Sequence, residues 1–410
     1  MSDLKVAYDI LFNVYQNGAY ASLELSKNIE KASIKNFVTN LVYGVLERDI
    51  EFNYYISKLV EKKPKNPIIV VLKIGMYLIK YMESMPTYAA VTKTVDLVKE
   101  INKRELTGFV NATLKRFSNQ KIPLPQNPIK RISVEYSAPE FLVQEYLNEY
   151  GEAKTKAMLT HSSFPCEHFR VNSRTYDIET LKKELKKRGI GYLESMPNAL
   201  YVKNDKFMHD LFSSGKVTNQ SKTSMLTCEK LAPEEGDKIL DLCAAPGGKS
   251  IYLAEMTTCF IIACDIHLHR LELIKSYMNR MNAHNIEIFQ NDATVKNELF
   301  VNRFNKVLCD VPCSGLGVAK KKPDIYLNMT RESIKELPEI QYKILDNAKD
   351  YIKKDGIIVY STCTTVKWEN GDVVRKFLFN NSDFELISEE QYLQDDLGMD
   401  GFYIAKLRRK

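Results

Sequence analysis

Ile239, Leu240 and Leu242, in the stretch Lys238-Ile-Leu-Asp-Leu-Cys-Ala-Ala-Pro-Gly-Gly-Lys249, form a short apolar run that ends in residues with little or no side chain. A run of this length reads as a fully buried parallel strand. Ser250-Ile-Tyr-Leu-Ala-Glu-Met256 then reads as helix. Strand, tight Gly turn and helix open the ligand site of a doubly wound α/β domain, at the C-terminal end of its first strand. Small residues let a cofactor approach the backbone, and the new helix offers free N–H groups to a carboxylate or phosphate. A Gly-Gly turn alone is weak, because many such turns are plain structure.

The strands beyond the turn strengthen the signal. Phe260-Ile-Ile-Ala-Cys-Asp265 reads as a second buried strand ending in an acid, the kind that accepts hydrogen bonds from ribose hydroxyls in this fold. A third strand, Asn285-Ile-Glu-Ile-Phe-Gln290, runs into Asn291-Asp292, and a fourth, Lys306-Val-Leu-Cys-Asp310, ends in another acid. Acids at successive strand ends predict a nucleoside cofactor lying across the top of a sheet. They do not say which one.

A chain of 410 residues has room for two or three domains. It has no run of about 18 apolar residues, so no transmembrane helix and no membrane partner are expected. Met1-Ser-Asp-Leu-Lys5 carries no signal-peptide core. The eight cysteines show neither Cys-x-x-Cys pairs nor zinc spacing, so no metal is expected. Cys243, Cys259, Cys264 and Cys309 lie in or beside apolar strands, where Cys is usually a small buried hydrophobe. A reducing cytoplasm fits this usage best. Residues 1–130 hold 19 Lys and Arg against 12 Asp and Glu, whereas the remaining 280 hold 39 against 40. The excess of +7 on one end points to a polyanionic partner there, with a merely solvated Lys-rich surface as the alternative.

Residues 1–120 read as helical throughout. Val6 to Val14, Ile68 to Ile79 (with Pro67 at a helix start) and Thr87 to Val98 all show apolar residues at helical spacing. Lys121-Ile-Pro-Leu-Pro-Gln-Asn-Pro-Ile-Lys130 carries three prolines and reads as a linker, giving a helical domain over residues 1–125. Residues 131–215 read as a small α+β module: an amphipathic helix Ala138 to Tyr150, then strands His168–Asn172 and Ala199–Val202 flanking a Lys-rich helix Ile178–Arg188. Residues 216–410 alternate strand and helix as a parallel sheet with helices on both faces. Gly356 to Ser361 is its fifth strand, and Gly401 to Leu407 closes it.

Two strand ends carry cysteine. The fourth strand continues as Asp310-Val-Pro-Cys-Ser-Gly-Leu-Gly317 and the fifth as Tyr360-Ser-Thr-Cys-Thr364. Either Cys alone is more often structural than catalytic. Together, at the sheet edge that lines the ligand crevice and beside acids that could hold a nucleoside, they make a site. A thiolate is a good nucleophile once its pKa is lowered or a base stands nearby. Position alone leaves open which of the two attacks.

On these motifs the chain resembles the bacterial 16S ribosomal RNA cytosine-5 methyltransferases of the RsmB (Sun) type. Asp241 to Lys249 is similar to that family's cofactor motif, Asp310 to Gly315 with Lys322-Pro-Asp324 to its substrate loop, and Tyr360 to Cys363 with Glu369-Asn370 to its nucleophile motif. Leu41 to Leu46, Ala89 to Val91 and Gly108 to Ala112 resemble the NusB-like helical domain that precedes the core in this subgroup. Phe169 to Asn172 and Asp400 to Phe402 fit as well. The chain departs from the family pattern at Ser221, where Asp is usual, and at Val311, where Ala is commoner.

The resemblance implies a class I, Rossmann-like methyltransferase fold preceded by an all-α NusB-like RNA-binding domain and a small α+β module. It implies S-adenosylmethionine as methyl donor, held by Cys243, Ala244, Ala245, Pro246, Gly247, Gly248 and Lys249 with Asp265, Asp292 and Asp310. It also implies a monomer acting on 16S rRNA, naked or in an assembling small subunit. Cys363 would add to carbon 6 of cytosine so that carbon 5 becomes nucleophilic, Asp310 would bind the base, and Cys313 would help the C5 proton and the enzyme leave. Beside the site, Lys320, Lys321 and Lys322 are candidates for phosphate contact, with a solvated loop as the equally weighted alternative. The same chemistry on a different rRNA or tRNA cytosine is an alternative, and two rival classes are weaker. A non-catalytic RNA-binding protein has no use for both cysteines and the three acids together. A nicotinamide oxidoreductase would need Gly-x-Gly-x-x-Gly, which Ala-Ala-Pro-Gly-Gly-Lys does not supply.

Overall fold

A computed structural model describes residues 1–160, 166–327, 329–394 and 398–410. The chain forms two compact units: residues 1–161 with 319–331, and residues 162–318 with 332–410.

The first unit is helical. Asp3–Asn17, Asn66–Tyr81 and Thr87–Glu100 contain the three apolar stretches seen in the sequence, and Pro67 sits in the first turn of its helix. Their apolar faces share one core, from Leu4 to Leu114. The proline-rich linker is shorter than expected. Pro128 opens the helix Pro128–Tyr136, with Asn127 capping it by accepting from the Lys130 N–H at 3.0 Å. That helix joins this unit, as does Glu140–Leu159, in which Gly151 (φ 73°) breaks the helical path. The segment Ala319–Arg331 also belongs here. Asp324 Oδ2 accepts from the Ala21 N–H at 3.2 Å, at the start of the helix Ala21–Asn28, whose own N-cap Tyr20 offers no side-chain acceptor. The acid of Lys322-Pro-Asp324 therefore serves a helix end.

The second unit carries two sheets. The smaller is fully antiparallel, in the order β2-β3-β1-β4, from β1 (Glu167–Val171), β2 (Tyr192–Met196), β3 (Ala199–Val202) and β4 (Val217–Asn219). The larger comprises β5 (Lys238–Asp241), β6 (Phe260–Asp265), β7 (Ile286–Gln290), β8 (Phe304–Asp310), β9 (Ile352–Thr362), β10 (Phe384–Tyr392) and β11 (Phe402–Arg409), in the order β10-β11-β9-β8-β5-β6-β7. Side chains alternate between two cores: Ile239, Ile261, Leu308 and Val359 on one face, Leu240, Cys264, Val307 and Ile358 on the other.

The sheet is not parallel throughout, as the sequence reading expects. β5 to β9 are parallel, but β11 runs antiparallel to both β9 and β10. β10 escapes the reading because Phe-Glu-Leu-Ile-Ser-Glu-Glu-Gln-Tyr is an edge strand, half in solvent, without the apolar run of a central strand. Among the described residues no helix is long and apolar enough to cross a membrane, and no cluster of His, Cys, Asp or Glu could hold a metal.

The strand order fixes where a ligand goes. From β5 the chain moves to β6 on one side and later returns to β8 on the other, so β5 and β8 flank the topological switch point. Ligands in such folds bind in the crevice outside the carboxyl ends at that point.

Candidate active site

The turn after β5 is tied to both neighbouring strands. Leu242 N–H donates to Leu308 O at 3.0 Å and Ala244 N–H to Cys264 O at 2.7 Å. Gly247 has φ +106°, and a Cβ there would press on Ile274 at 3.2 Å, so this position needs glycine. The first helical bond runs from Ile251 N–H to Gly247 O, which leaves the amides of Gly248, Lys249 and Ser250 at the open helix end. The Ala245–Pro246 peptide is cis. At the strand's own end Asp241 is buried, with Oδ2 accepting from Ser250 Oγ at 2.6 Å and Oδ1 without a partner. Burial, opposed by the Ser250 hydrogen bond and aided by the charge of Asp310, pushes its carboxyl up to about 7.

The small sheet supports this turn from behind. Arg170 on β1 is fully buried, pairs with Glu255 and donates from Nε to Gln220 Oε1 at 2.6 Å. Gln220 Nε2 in turn lies 3.3 Å from Gly248 O, at the start of the turn's helix. Ser221, the departure from the family pattern, caps the helix Lys222–Leu231 by accepting from Ser224 N–H at 3.3 Å, a task open to Ser and Asp alike. Val311, the other departure, is core.

Asp265 and Asp310 are the last residues of β6 and β8, and Asp292 follows β7 by two residues. Asp265 Oδ1 accepts from His267 N–H at 3.0 Å, and Asp292 Oδ1 accepts from Thr294 N–H at 2.9 Å. With β5 between β6 and β8, Asp265 and Asp310 stand two strand spacings apart, roughly 10 Å. Asp310 is held on both sides, by Lys249 Nζ at 2.6 Å and Ser361 Oγ at 2.7 Å. Burial pushes the Lys249 ammonium down, but the charge and hydrogen bond of Asp310 outweigh it and hold it above its ordinary value. Lys249 thus spends its charge on Asp310, across the crevice from its own helix.

The two cysteines meet. Cys313 Sγ lies 3.1 Å from Cys363 Sγ, neither in a disulfide and both half-buried. The hydrogen bond to Cys363, followed by burial, holds the Cys313 thiol well above its usual range. Their loops are joined by Gly317 N–H to Cys363 O at 3.0 Å and Gly401 N–H to Gly317 O at 2.8 Å. A Cβ on Gly317 would fall on the Gly401 carbonyl, so Asp400-Gly-Phe402 closes the site by letting two backbones touch. Beneath the thiols Glu369 is fully buried and accepts from Ser314 N–H (2.9 Å), Ser314 Oγ (2.5 Å) and Gln341 Nε2 (3.0 Å). Burial raises its carboxyl while these donors pull it back down. Burial raises the thiols of Cys243, Cys264 and Cys309 as well, and these three pack in or against an apolar core.

A model of the 16S rRNA methyltransferase RsmB/F family matches residues 228–408, and one of the NusB family matches residues 1–119. The chain is 32% identical to a probable ribosomal RNA small subunit methyltransferase B of Bacillus subtilis (strain 168), over 99% of this chain and 98% of that protein. The chain belongs to the RsmB/F family of rRNA methyltransferases. Ribosomal RNA small subunit methyltransferase B of Proteus mirabilis (strain HI4320) is 30% identical over 94% of this chain and 93% of its own length. In fold, the crystal structure of PH0851 matches with a TM-score of 0.85 at 21% identity, covering 99% of each chain.

S-adenosylmethionine is the methyl donor of RsmB/F-type enzymes, and the crevice suits it. The helix-end amides after Gly247 suit an amino-acid carboxylate. Two buried polar atoms at strand ends, Asp241 Oδ1 and Asn291 Nδ2, lack partners on the protein. Of the residues expected from the sequence, Cys243 to Gly248 form the turn, Lys249 and Asp310 pair, Cys313 and Cys363 touch, and Asp265 and Asp292 stand at neighbouring strand ends. Sequence reasoning misses Asp241's burial, Ser361, Gln341 and the contact of Gln220 with the turn. Only Gln220's place ahead of a cap residue could have pointed to it.

If Asp265 binds the ribose hydroxyls, Asp265→Ala is expected to weaken S-adenosylmethionine binding by ~1–3 kcal/mol, the cost of leaving a hydrogen-bonding partner unpaired. Calorimetry checks this, and unchanged affinity removes Asp265 from the site.

Proposed function

We propose that this rRNA methyltransferase acts on carbon 5 of one cytosine in 16S rRNA, through a covalent bond between Cys363 and carbon 6. The observation that carries the proposal is the pair of thiols 3.1 Å apart at the ends of β8 and β9, beside an acid fixed by Lys249 and Ser361. Carbon 5 of cytosine is too electron-poor to take a methyl group unaided, and an adjacent nucleophile on carbon 6 corrects that. Bound S-adenosylmethionine supplies the methyl group from a sulfonium.

The chain's own residues do the rest. By its place in the nucleophile motif Cys363 attacks as the thiolate in this reading, and Cys313, 3.1 Å from it, carries the proton of the pair. The Cys363 sulfur adds to carbon 6, and Asp310, fixed in place by Lys249 and Ser361, takes the hydrogen bond of the base's amino group. Once Cys363 sulfur is bonded to carbon, it no longer stabilises the Cys313 proton. Cys313 can then lose that proton to solvent and remove the one on carbon 5. The C6–S bond breaks, its electrons return to Cys363, and the starting pair is restored with one proton released. The base must leave its stack to reach the thiols, so a cytosine in a loop or single strand is the natural target. The basic excess of residues 1–130 supports binding to the flanking RNA.

The test is methyl transfer from labelled S-adenosylmethionine to 16S rRNA, followed by nucleoside analysis. Label in 5-methylcytidine alone is the expected result. Label in any other nucleoside overturns the proposal.

A further inference from the structure

We propose that Glu369 is a positioning residue for product release, its carboxylate holding the Cys313 loop at the spacing from Cys363 that elimination needs. The inference rests on the covalent mechanism just proposed. Glu369 and Asn370 grip residues on both sides of both thiols. Ser314 follows Cys313 and gives Glu369 two donors, and Gln341 Nε2 bridges Glu369 to the carbonyl of Pro312, which precedes Cys313 (3.0 Å to each). On the other loop, Asn370 Oδ1 accepts from Thr362 Oγ1 at 2.5 Å and its Nδ2 donates to Thr364 O at 3.1 Å. Tyr360 OH anchors the Glu369 carbonyl at 2.6 Å.

Stability alone does not call for this arrangement. A buried carboxylate is costly to desolvate, and a well-packed apolar residue often serves a core as well or better. A carboxylate is suited to something an apolar side chain cannot do: it collects several donors from one loop and fixes that loop's position. The two thiols depend on it unequally. Cys363 follows directly on β9 and is held by its own carbonyl bond from Gly317. Cys313 lies in an irregular turn beyond β8, and Pro312 and Ser314 on either side of it are tied through Glu369 and Gln341. Glu369 also meets Thr364 Oγ1, but only at 3.5 Å, and Asn370 holds Thr362 and Thr364 independently, so loosening the clamp moves Cys313 more than Cys363. Addition and methylation need Cys363; elimination needs both.

Glu369→Gln keeps the clamp. Its amide oxygen can face the N–H donors of Ser314 and Gln341, and its NH₂ can face Ser314 Oγ, which then turns its hydrogen to Thr364 Oγ1 at 2.9 Å. Glu369→Ala abolishes it.

The experiment uses the full chain, 16S rRNA and labelled S-adenosylmethionine, with denaturing electrophoresis to separate adduct from released product. Glu369→Ala is expected to transfer methyl in the first turnover but to hold at least about tenfold more methylated adduct than wild type, since lost charge-assisted hydrogen bonds slow release by that order. Glu369→Gln is expected to restore release. Should Glu369→Ala not fold, Gln341→Ala removes one donor and leaves the carboxylate, and is expected to shift the balance toward adduct in the same direction. Loss of methyl transfer without adduct in a folded variant, or release at the wild-type rate, overturns the proposal. Cys313→Ala run alongside separates the two levels. Adduct with Cys313→Ala but none with the Glu369 and Gln341 variants defeats the role of Glu369 only, whereas no adduct with any variant defeats the covalent reading.

Discussion

Cys363→Ala is expected to show neither methyl transfer nor covalent adduct, with activity down by at least ~10⁴-fold, the scale on which loss of a nucleophile acts. Cys313→Ala is expected to fail differently. Its Cys363 still adds to carbon 6 and carbon 5 still takes the methyl group, but no group takes the C5 proton. A methylated protein–RNA adduct therefore accumulates and survives denaturing electrophoresis. The two sulfurs are 3.1 Å apart, so distance alone cannot assign the roles. The assignment rests on the likeness of Tyr360-Ser-Thr-Cys363 to the family's nucleophile motif, within the stretch its model matches. Both variants should bind S-adenosylmethionine normally, because neither thiol contributes to the turn after β5. Adduct formed by Cys363→Ala but not by Cys313→Ala would reverse the roles.

The second large effect concerns stability. Asp241 ordinarily titrates near 3.8 and is pushed up to about 7 in the folded chain. The folded state thus holds this proton more tightly than the unfolded state does. The contribution of the neutral carboxyl is fully present below the unfolded value and is lost as pH rises through about 7. A shift of this size amounts to ~4 kcal/mol across that window. Asp241→Asn removes the titration. Its amide leaves a donor where Oδ1 has no partner, at a pH-independent cost of ~1–3 kcal/mol. Measured by denaturant unfolding of the full chain, the variant should be the less stable protein near pH 4 and should gain on wild type up to pH 8. Stability curves that run parallel from pH 4 to 8 would show that Asp241 does not carry a buried proton.

Much of this site is legible in the sequence because central parallel strands must be apolar throughout. Ile239-Leu240, Phe260 to Cys264 and Val307 to Cys309 announce themselves, and whatever polar residue ends each run falls on the ligand edge. Asp265, Asp310, Cys313 and Cys363 are found by that rule. Residues whose role depends on packing between distant segments are not. Gln341 lies on the helix Leu337–Tyr351, whose spacing shows only a face, and nothing local reveals that it reaches Glu369 and Pro312. Lys249 looks like one more member of the cofactor turn until Asp310 is placed opposite it. Asp324 stands in the substrate-loop motif, yet its oxygen serves a helix of the N-terminal unit, to which its own segment belongs. β10 fails for a different reason: edge strands in water have no reason to be apolar.

Bisulfite sequencing of 16S rRNA tests cytosine-5 methylation most directly, applied to cells with the intact gene, with the gene deleted, and with the deletion complemented by Cys363→Ala. One cytosine resistant to conversion with the intact gene, and converted in the other two strains, is the expected result. A conversion pattern identical in all three strains, or resistance restored by Cys363→Ala, would contradict it.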